Sequence, residues 1–322
     1  MGGALIVAVG DYDHTRDLIT GTVGVDGVEV VALPRPEDIF ARALKGEFDA
    51  SEMSMAVVSN LVSRGDGRFI ALPVFPARSF RHGAIYTHAD GPQRPEDLSG
   101  ARIGVPVWAQ TAGIVVRGFL AARHGVDLTS ITWVRAGVDE AGREEPVDFD
   151  HGPYRILSEP GRTLDELLLS REVDAVISAR PPACIERRDP RVRRLFADPQ
   201  AEERAYIRDT GIFPIMHVLV IRRDALARRP TLAAELTEAF TVAKDASLRR
   251  ATQATVPSYP LPWAAIHARD ARDLLGDDFW PYGIDANRAT LSAFLRDAHA
   301  QRVTDRPLEP NELLPLPISS SA

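Results

Sequence analysis

The sequence predicts a two-lobed α/β protein with a ligand cleft between the lobes. Three observations lead there. At 322 residues the chain exceeds an average domain of roughly 150 and calls for about two. Strand-like and helix-like segments alternate, the pattern of mostly parallel sheets covered by helices. The alternation runs once to Val74, restarts at Arg102 and gives way to a helical C-terminus.

Leu5–Val9 is apolar, too short for a signal-peptide core, and ends in Gly10-Asp11. It reads as a buried first strand running into a loop, and with no basic segment before it the expected location is cytoplasmic. A short helix follows at Thr15–Thr20 and a strand at Val28–Ala32. Pro36-Glu37-Asp38 opens a helix with Ile39, Phe40, Ala43 and Leu44 at helical spacing. Phe48–Ser54 is a short strand leaving into a loop, Met55–Leu61 a helix, and Ile70–Val74 a strand. Then come strands at His82–Thr87 and Arg102–Val105, a helix at Thr111–His124 ending near Gly125, and a strand at Thr132–Val134. Gly137–Pro160, rich in Asp, Glu, Gly and Pro, reads as a hairpin or long loop. Thr163–Ser170 is a helix, Val173–Ser178 a strand, and Ile215–Ile221 the last strand. Thr231–Arg250, Leu261–Leu275 and Asn287–Gln301 are helices expected to pack back on lobe one, and the tail from Pro307 is expected to be draped or frayed. Crossings near 80–88 and 208–220 put residues 1–82 plus 217–322 in lobe one and 83–216 in lobe two.

Composition narrows the chemistry. Hydrophobic residues at 45% and charged residues at 26% are a globular mix. Net charge is −7, which gives no global attraction to nucleic acid or an anionic membrane, and no apolar run reaches spanning length. The single cysteine, Cys184, excludes an internal disulfide and a multi-cysteine zinc site. Lys45 and Lys244 are the only lysines, and both lie in charged helical sequence, poor settings for a Schiff base. No phosphate loop, dinucleotide fingerprint, nucleophile elbow or H-E-x-x-H occurs, and the eight histidines show no ligand-pair spacing. A metal would need ligands gathered from distant segments, and none is expected.

Open α/β sheets bind ligands at the carboxyl ends of their strands. The loops there carry Asp11, Tyr12, His14 and Arg16, then Glu52 and Ser54, then Arg78, Arg81 and His82. Lobe two offers Trp108, Gln110 and Thr111 at a helix start, and Arg180 after a strand. Arginines in several cleft loops suit a ligand with more than one carboxylate, because a guanidinium grips a carboxylate as a fork. A helix beginning at Gln110-Thr111 adds backbone N–H donors. Two plainer roles stay open: His217 as a satisfied core histidine, and Glu52 as a cap on the next helix.

These segments also carry a resemblance. Asp11-Tyr12-Asp13, Phe48–Ser54, Phe75-Pro76 with Arg78, Phe80-Arg81-His82, Trp108–Thr111, Ile177–Pro182, Thr210–His217 and Asp278–Gly283 occur in order along nearly the whole chain. Together they resemble the 4,5-dihydroxyphthalate decarboxylase family. The resemblance implies a type II periplasmic-binding-protein-like fold and a cofactor-independent decarboxylase of a hydroxylated aromatic acid. One departure is His14, where the resemblance calls for an arginine; facing the cleft, it would direct the chain away from 4,5-dihydroxyphthalate itself.

Such a reaction needs an acid at the ring carbon that bears the carboxylate, a partner for the phenolate, and an anchor for the rest of the molecule. His82 is the expected proton donor, with His217 second. Glu52 orients the donor or handles a hydroxyl proton. Arg78, Arg81 and Arg180 anchor carboxylates, and Ser54, Gln110 and Thr111 complete the anion site. The expected partner is a small aromatic carboxylate, with a homo-oligomer left open. Rival readings are a non-catalytic carboxylate-binding or sensor protein, and another lyase on the same fold of the menaquinone-pathway type.

Overall fold

The computed structural model describes residues 4–256 and 258–315. The chain first builds β1 (Leu5–Gly10), β2 (Val28–Leu33), β3 (Ala50–Ser54) and β4 (Phe69–Arg78). It then crosses into a second sheet made of β5 (Ile85–His88), β6 (Arg102–Val105), β7 (Thr132–Gly137), β8 (Arg155–Thr163), β9 (Ala175–Ile177) and β10 (Val192–Arg194). It returns as β11 (Ile215–Arg222), between β3 and β4. The strand orders are β2-β1-β3-β11-β4 and β10-β5-β9-β6-β7-β8. β1 runs parallel to β2 and β3, whereas β11 runs antiparallel to both its neighbours. Two mixed sheets joined by two crossings make the two-lobed α/β architecture. No helix among the described residues is long and apolar enough to cross a membrane.

Helix Leu232–Thr252 covers one face of the first sheet, setting Leu232, Leu236, Phe240 and Ala243 against Val7, Val9, Leu72 and Leu219. Helix Ala264–Leu275 packs on that helix, with Ala268 as its buried residue. The last long helix, Arg288–Ala300, departs from expectation: it packs on Thr111–His124 of lobe two as well as on Met55–Ser63 of lobe one. Gly118 permits that approach, because a side chain there would run into Asp297. Beyond the helix, Gln301 donates to the Ile114 carbonyl (3.0 Å) and accepts from Arg117 Nε (2.6 Å). The C-terminal segment therefore clamps both lobes.

Other corrections have local causes. His82 begins a single helical turn, His82–Ala84, and the strand starts only at Ile85. The supposed loop 137–160 ends in β8, an outer strand whose Pro160 and Gly161 are tolerated because one side needs no ladder partner. β10 and helix Pro199–Thr210 were not foreseen; the helix buries only Tyr206 and Ile207 and so shows little apolar stripe. Its start was legible, with Pro199 in the first turn and Asp198 accepting from Ala201 N at 3.0 Å. In the tail, Leu308, Leu313 and Leu314 are buried around a short helix at Pro310–Leu313, so this part is anchored; residues 316–322 lie outside the described region.

Ser54 and Thr111 join the lobes directly. Their hydroxyls lie 3.0 Å apart, and Thr111 Oγ1 also accepts from Ala56 N at 3.1 Å. Both side chains are buried, so each lost bond leaves a polar group without water. Thr111→Val should lower unfolding stability by about 1–2 kcal/mol, read as a shift in urea midpoint at unchanged slope.

Candidate active site

The site begins with a buried carboxylate. Glu52 lies on β3 opposite Leu219, and His217 on β11 opposite Ser54, so the two side chains share one sheet face as diagonal neighbours. Glu52 is wholly inaccessible to solvent, at 0% exposure. Its Oε1 accepts from His217 Nδ1 (2.5 Å) and from the Tyr12 hydroxyl (2.8 Å), and its Oε2 from Gly10 N (2.8 Å). Burial alone would push the Glu52 pKa up. Hydrogen bonds and charge from His217, with Gly10 and Tyr12, outweigh it and hold the carboxyl below its usual range. Burial and the Glu52 charge push the Tyr12 phenol up, so it stays a donor. Gly10 makes this possible, since a Cβ there would collide with the Tyr12 ring.

With Glu52 ionised, the His217 proton belongs on Nδ1, and Nε2 is left for a ligand. The His217 side chain remains 18% exposed, and its ring meets Phe40 edge-on at 4.9 Å. It is thus partly accessible to solvent rather than a sealed core histidine. Glu52 spends its oxygens on side chains and on Gly10, not on the following helix.

A guanidinium without a counter-charge comes next. Arg78 ends β4 opposite Ile215 and is 7% exposed. It donates to Asn287 Oδ1 and lies 5.0 Å from the Phe213 ring centroid and 5.5 Å from that of Phe75. Its Nε has no partner, and no carboxylate among the described residues forms a salt bridge with it. Burial pulls its pKa down to about 10, with Asp278 and Tyr282 opposing. Arg81 is similar: burial lowers its pKa, and its Nε donates only to Met216 Sδ at 3.3 Å.

His14 closes an aromatic wall. Its Nε2 meets the Pro76 carbonyl at 2.7 Å, and its ring lies 5.2 Å from both Tyr12 and Trp280. Burial lowers its pKa, favouring the neutral ring. Trp280 donates to the Phe75 carbonyl at 2.9 Å and meets Phe213 edge-on. Trp280, Asn287, Phe213 and Tyr282 were not assigned to the site. The signal available was the segment Asp278–Gly283, a stretch dense in aromatic and turn residues.

Several expected site residues lie elsewhere. His82 is 3% exposed, stacked on Phe119 at 4.3 Å with Phe196 and Tyr206 edge-on. It shares no hydrogen-bonding partner with Glu52, and burial pulls its pKa down to about 4. Such a ring is a neutral core histidine in an aromatic cage, a poor proton donor. Trp108 is fully buried, its indole donating to the Gln301 carbonyl at 2.9 Å and lying under Arg117. Just before the helix start, the N–H groups of Trp108 and Ala109 donate to Glu145, which also pairs with Arg135 at 3.3 Å. Ser54 and Thr111 bond each other. Gln110 remains, its Oε1 buried without a partner. Asp11, Arg16 and Arg180 are exposed, Arg16 lying 3.9 Å from Asp13.

A 4,5-dihydroxyphthalate decarboxylase from Comamonas testosteroni is 39% identical to this chain over 314 residues, covering 96% of it and 95% of that protein. The chain belongs to the 4,5-dihydroxyphthalate decarboxylase family. A second member of the family, from Pseudomonas putida, is 41% identical over 202 residues, or 61% of this chain and 78% of that one. No protein-family model matches the chain. Among solved structures, the periplasmic aliphatic sulphonate binding protein of Escherichia coli aligns at a TM-score of 0.55, with 11% identity and 97% of each chain covered. The alkanesulfonate-binding protein of Xanthomonas axonopodis gives 0.54, with 12% identity, 97% of this chain and 98% of that one. These likenesses establish the periplasmic-binding-protein-like fold, and family membership assigns the chain to the carboxy-lyases.

The His82 cage has a measurable consequence. A histidine whose folded pKa is depressed contributes stability above its unfolded value of 6.5 and loses it as pH falls towards about 4. Denaturant midpoints should therefore fall over that window, by up to about 3 kcal/mol in stability. His82→Phe should flatten this part of the profile.

Proposed function

We propose that the protein decarboxylates a hydroxylated phthalate, with His217 as proton donor, Glu52 as the group that orients it, and Arg78 as carboxylate anchor. The observation that carries this reading is the 2.5 Å contact between buried Glu52 and partly accessible His217, in a member of a decarboxylase family. In 4,5-dihydroxyphthalate each carboxylated carbon lies para to a hydroxyl. Electron density pushed from that hydroxyl makes the carbon basic. His217, carrying a proton on each ring nitrogen, delivers the one on Nε2 there and keeps Nδ1–H on Glu52; the C–C bond breaks, and its electron pair restores the aromatic ring as CO2 leaves. Glu52 stabilises the imidazolium before transfer, and Tyr12 holds the second lone-pair direction of the same oxygen.

Arg78 supports the reading from the other side. A buried cation without an acidic partner is costly, and a substrate carboxylate supplies the missing charge. His14 does not compete for that role, since its Nε2 faces the Pro76 carbonyl and burial keeps it neutral. Arg81, next to Met216, is a further cation for the second carboxylate.

CO2 release from a panel of hydroxylated phthalates tests the reaction. In D2O, one deuterium should appear on the ring carbon that loses its carboxylate. His217→Asn should bind the substrate but lose roughly 10²–10⁴-fold in turnover, as for loss of a general acid. Full turnover in His217→Asn would return the proton to another donor. Arg78→Gln should chiefly raise the dissociation constant.

A further inference from the structure

Two buried polar atoms beside the Phe75 ring have no hydrogen-bond partner among the described residues: Arg78 Nε and the Tyr282 hydroxyl. They are held as a unit. Asn287 accepts from Arg78 through Oδ1, while its Nδ2 donates to the carbonyls of Pro281 (2.9 Å) and Gly283 (2.8 Å), the residues flanking Tyr282. Gly283 N donates to the Pro73 carbonyl of β4 at 2.8 Å, and at φ +89° this residue takes a backbone shape that favours glycine. Phe75 packs against both groups, 5.5 Å from the Arg78 guanidinium carbon and 6.3 Å from the Tyr282 ring. On the far side, Lys244 lies 5.3 Å from the Tyr282 ring and is bound to Asp278 at 2.6 Å.

We propose that Tyr282 is a substrate-anchoring residue: its hydroxyl and Arg78 Nε form a two-donor subsite for one carboxylate of an aromatic dicarboxylate. A single asparagine fixes both donors, so neither has to be ordered when a ligand arrives. A buried hydroxyl left without a partner is unfavourable in the free protein and becomes satisfied on binding, which converts that cost into affinity. The neutral phenol adds a donor without adding charge. The pair thus suits a carboxylate oxygen rather than a ring hydroxyl, which would donate as readily as accept.

The assignment to a reacting substrate rests on the decarboxylase reading, but the subsite itself is tested with an unreactive probe. Calorimetric titration with phthalate, which has no ring hydroxyls, and with catechol, which has no carboxylate, separates the two halves of the ligand. Tyr282→Phe should weaken phthalate binding about 10-fold, in the range of one hydrogen bond to a charged group, and leave catechol binding unchanged. Its thermal midpoint without ligand should equal or exceed that of the parent, since the unpartnered hydroxyl is gone. In a cycle with Arg78→Gln, the two losses should fall short of additivity, as expected for donors sharing one carboxylate. Unchanged phthalate affinity in Tyr282→Phe would overturn the proposal, and so would an equal loss for catechol. Phthalate binding that depends on Tyr282, in a protein releasing no CO2 from any hydroxylated phthalate, would keep the subsite and overturn the decarboxylase reading.

Discussion

A carboxylate with no exposed surface organises this molecule. Removing Glu52 from water is unfavourable unless its charge and lone pairs are matched. The match comes from separate stretches of chain: Gly10 at the end of β1, Tyr12 just beyond it, and His217 on the strand that returns from lobe two. Lobe one is thus closed around Glu52 only after lobe two has been threaded through. The same requirement explains why Gly10 lacks a side chain. The Tyr12 ring must lie over that position for its hydroxyl to reach Glu52.

Buried arginines show the opposite balance. Arg117 is entirely buried, with a pKa pulled down to about 9; Gln301 at 2.6 Å, the Trp108 carbonyl at 2.7 Å and the Trp108 ring face at 3.8 Å hold it, while its Nη1 is left without a partner among the described residues. It ties helix Thr111–His124 to the C-terminal segment. Arg78 has Asn287 and two aromatic faces, but its Nε points to no acceptor. A charge held in place and left incompletely solvated by the protein is what an anion site requires.

Lobe two meets this centre through contacts that are already satisfied. Ser54 and Thr111 bond one another across the boundary, and Glu145 occupies the N–H groups of Trp108 and Ala109. The segment carrying Glu145 reaches lobe one, where Asn60 donates to the Asp148 carbonyl at 3.0 Å and Arg143 lies 3.9 Å from Glu37. Two N–H groups just before helix Thr111–His124 are therefore taken up by Glu145, and the Ser54 and Thr111 hydroxyls by each other.

Periodicity and turn chemistry in the sequence determined the alternation of strands and helices, the two crossings and the loops at strand ends, because those signals are local. They also placed Glu52, Arg78 and His217 among the candidates. Outer strands β8 and β10 escaped because a strand with one solvent-facing edge needs no apolar run. Helix Pro199–Thr210 escaped because it buries little. Only the tertiary structure gives His82 and His217 different surroundings. Both are histidines beside a crossing, and their neighbours in sequence do not distinguish them. Phe119, Phe196 and Tyr206 converge on one from distant segments, and Glu52 on the other, 165 residues away in the chain. Burial in an aromatic cage disfavours the charged ring of His82, whereas His217 hydrogen-bonds a buried carboxylate, and both settings come from contacts that exist only once the lobes have assembled.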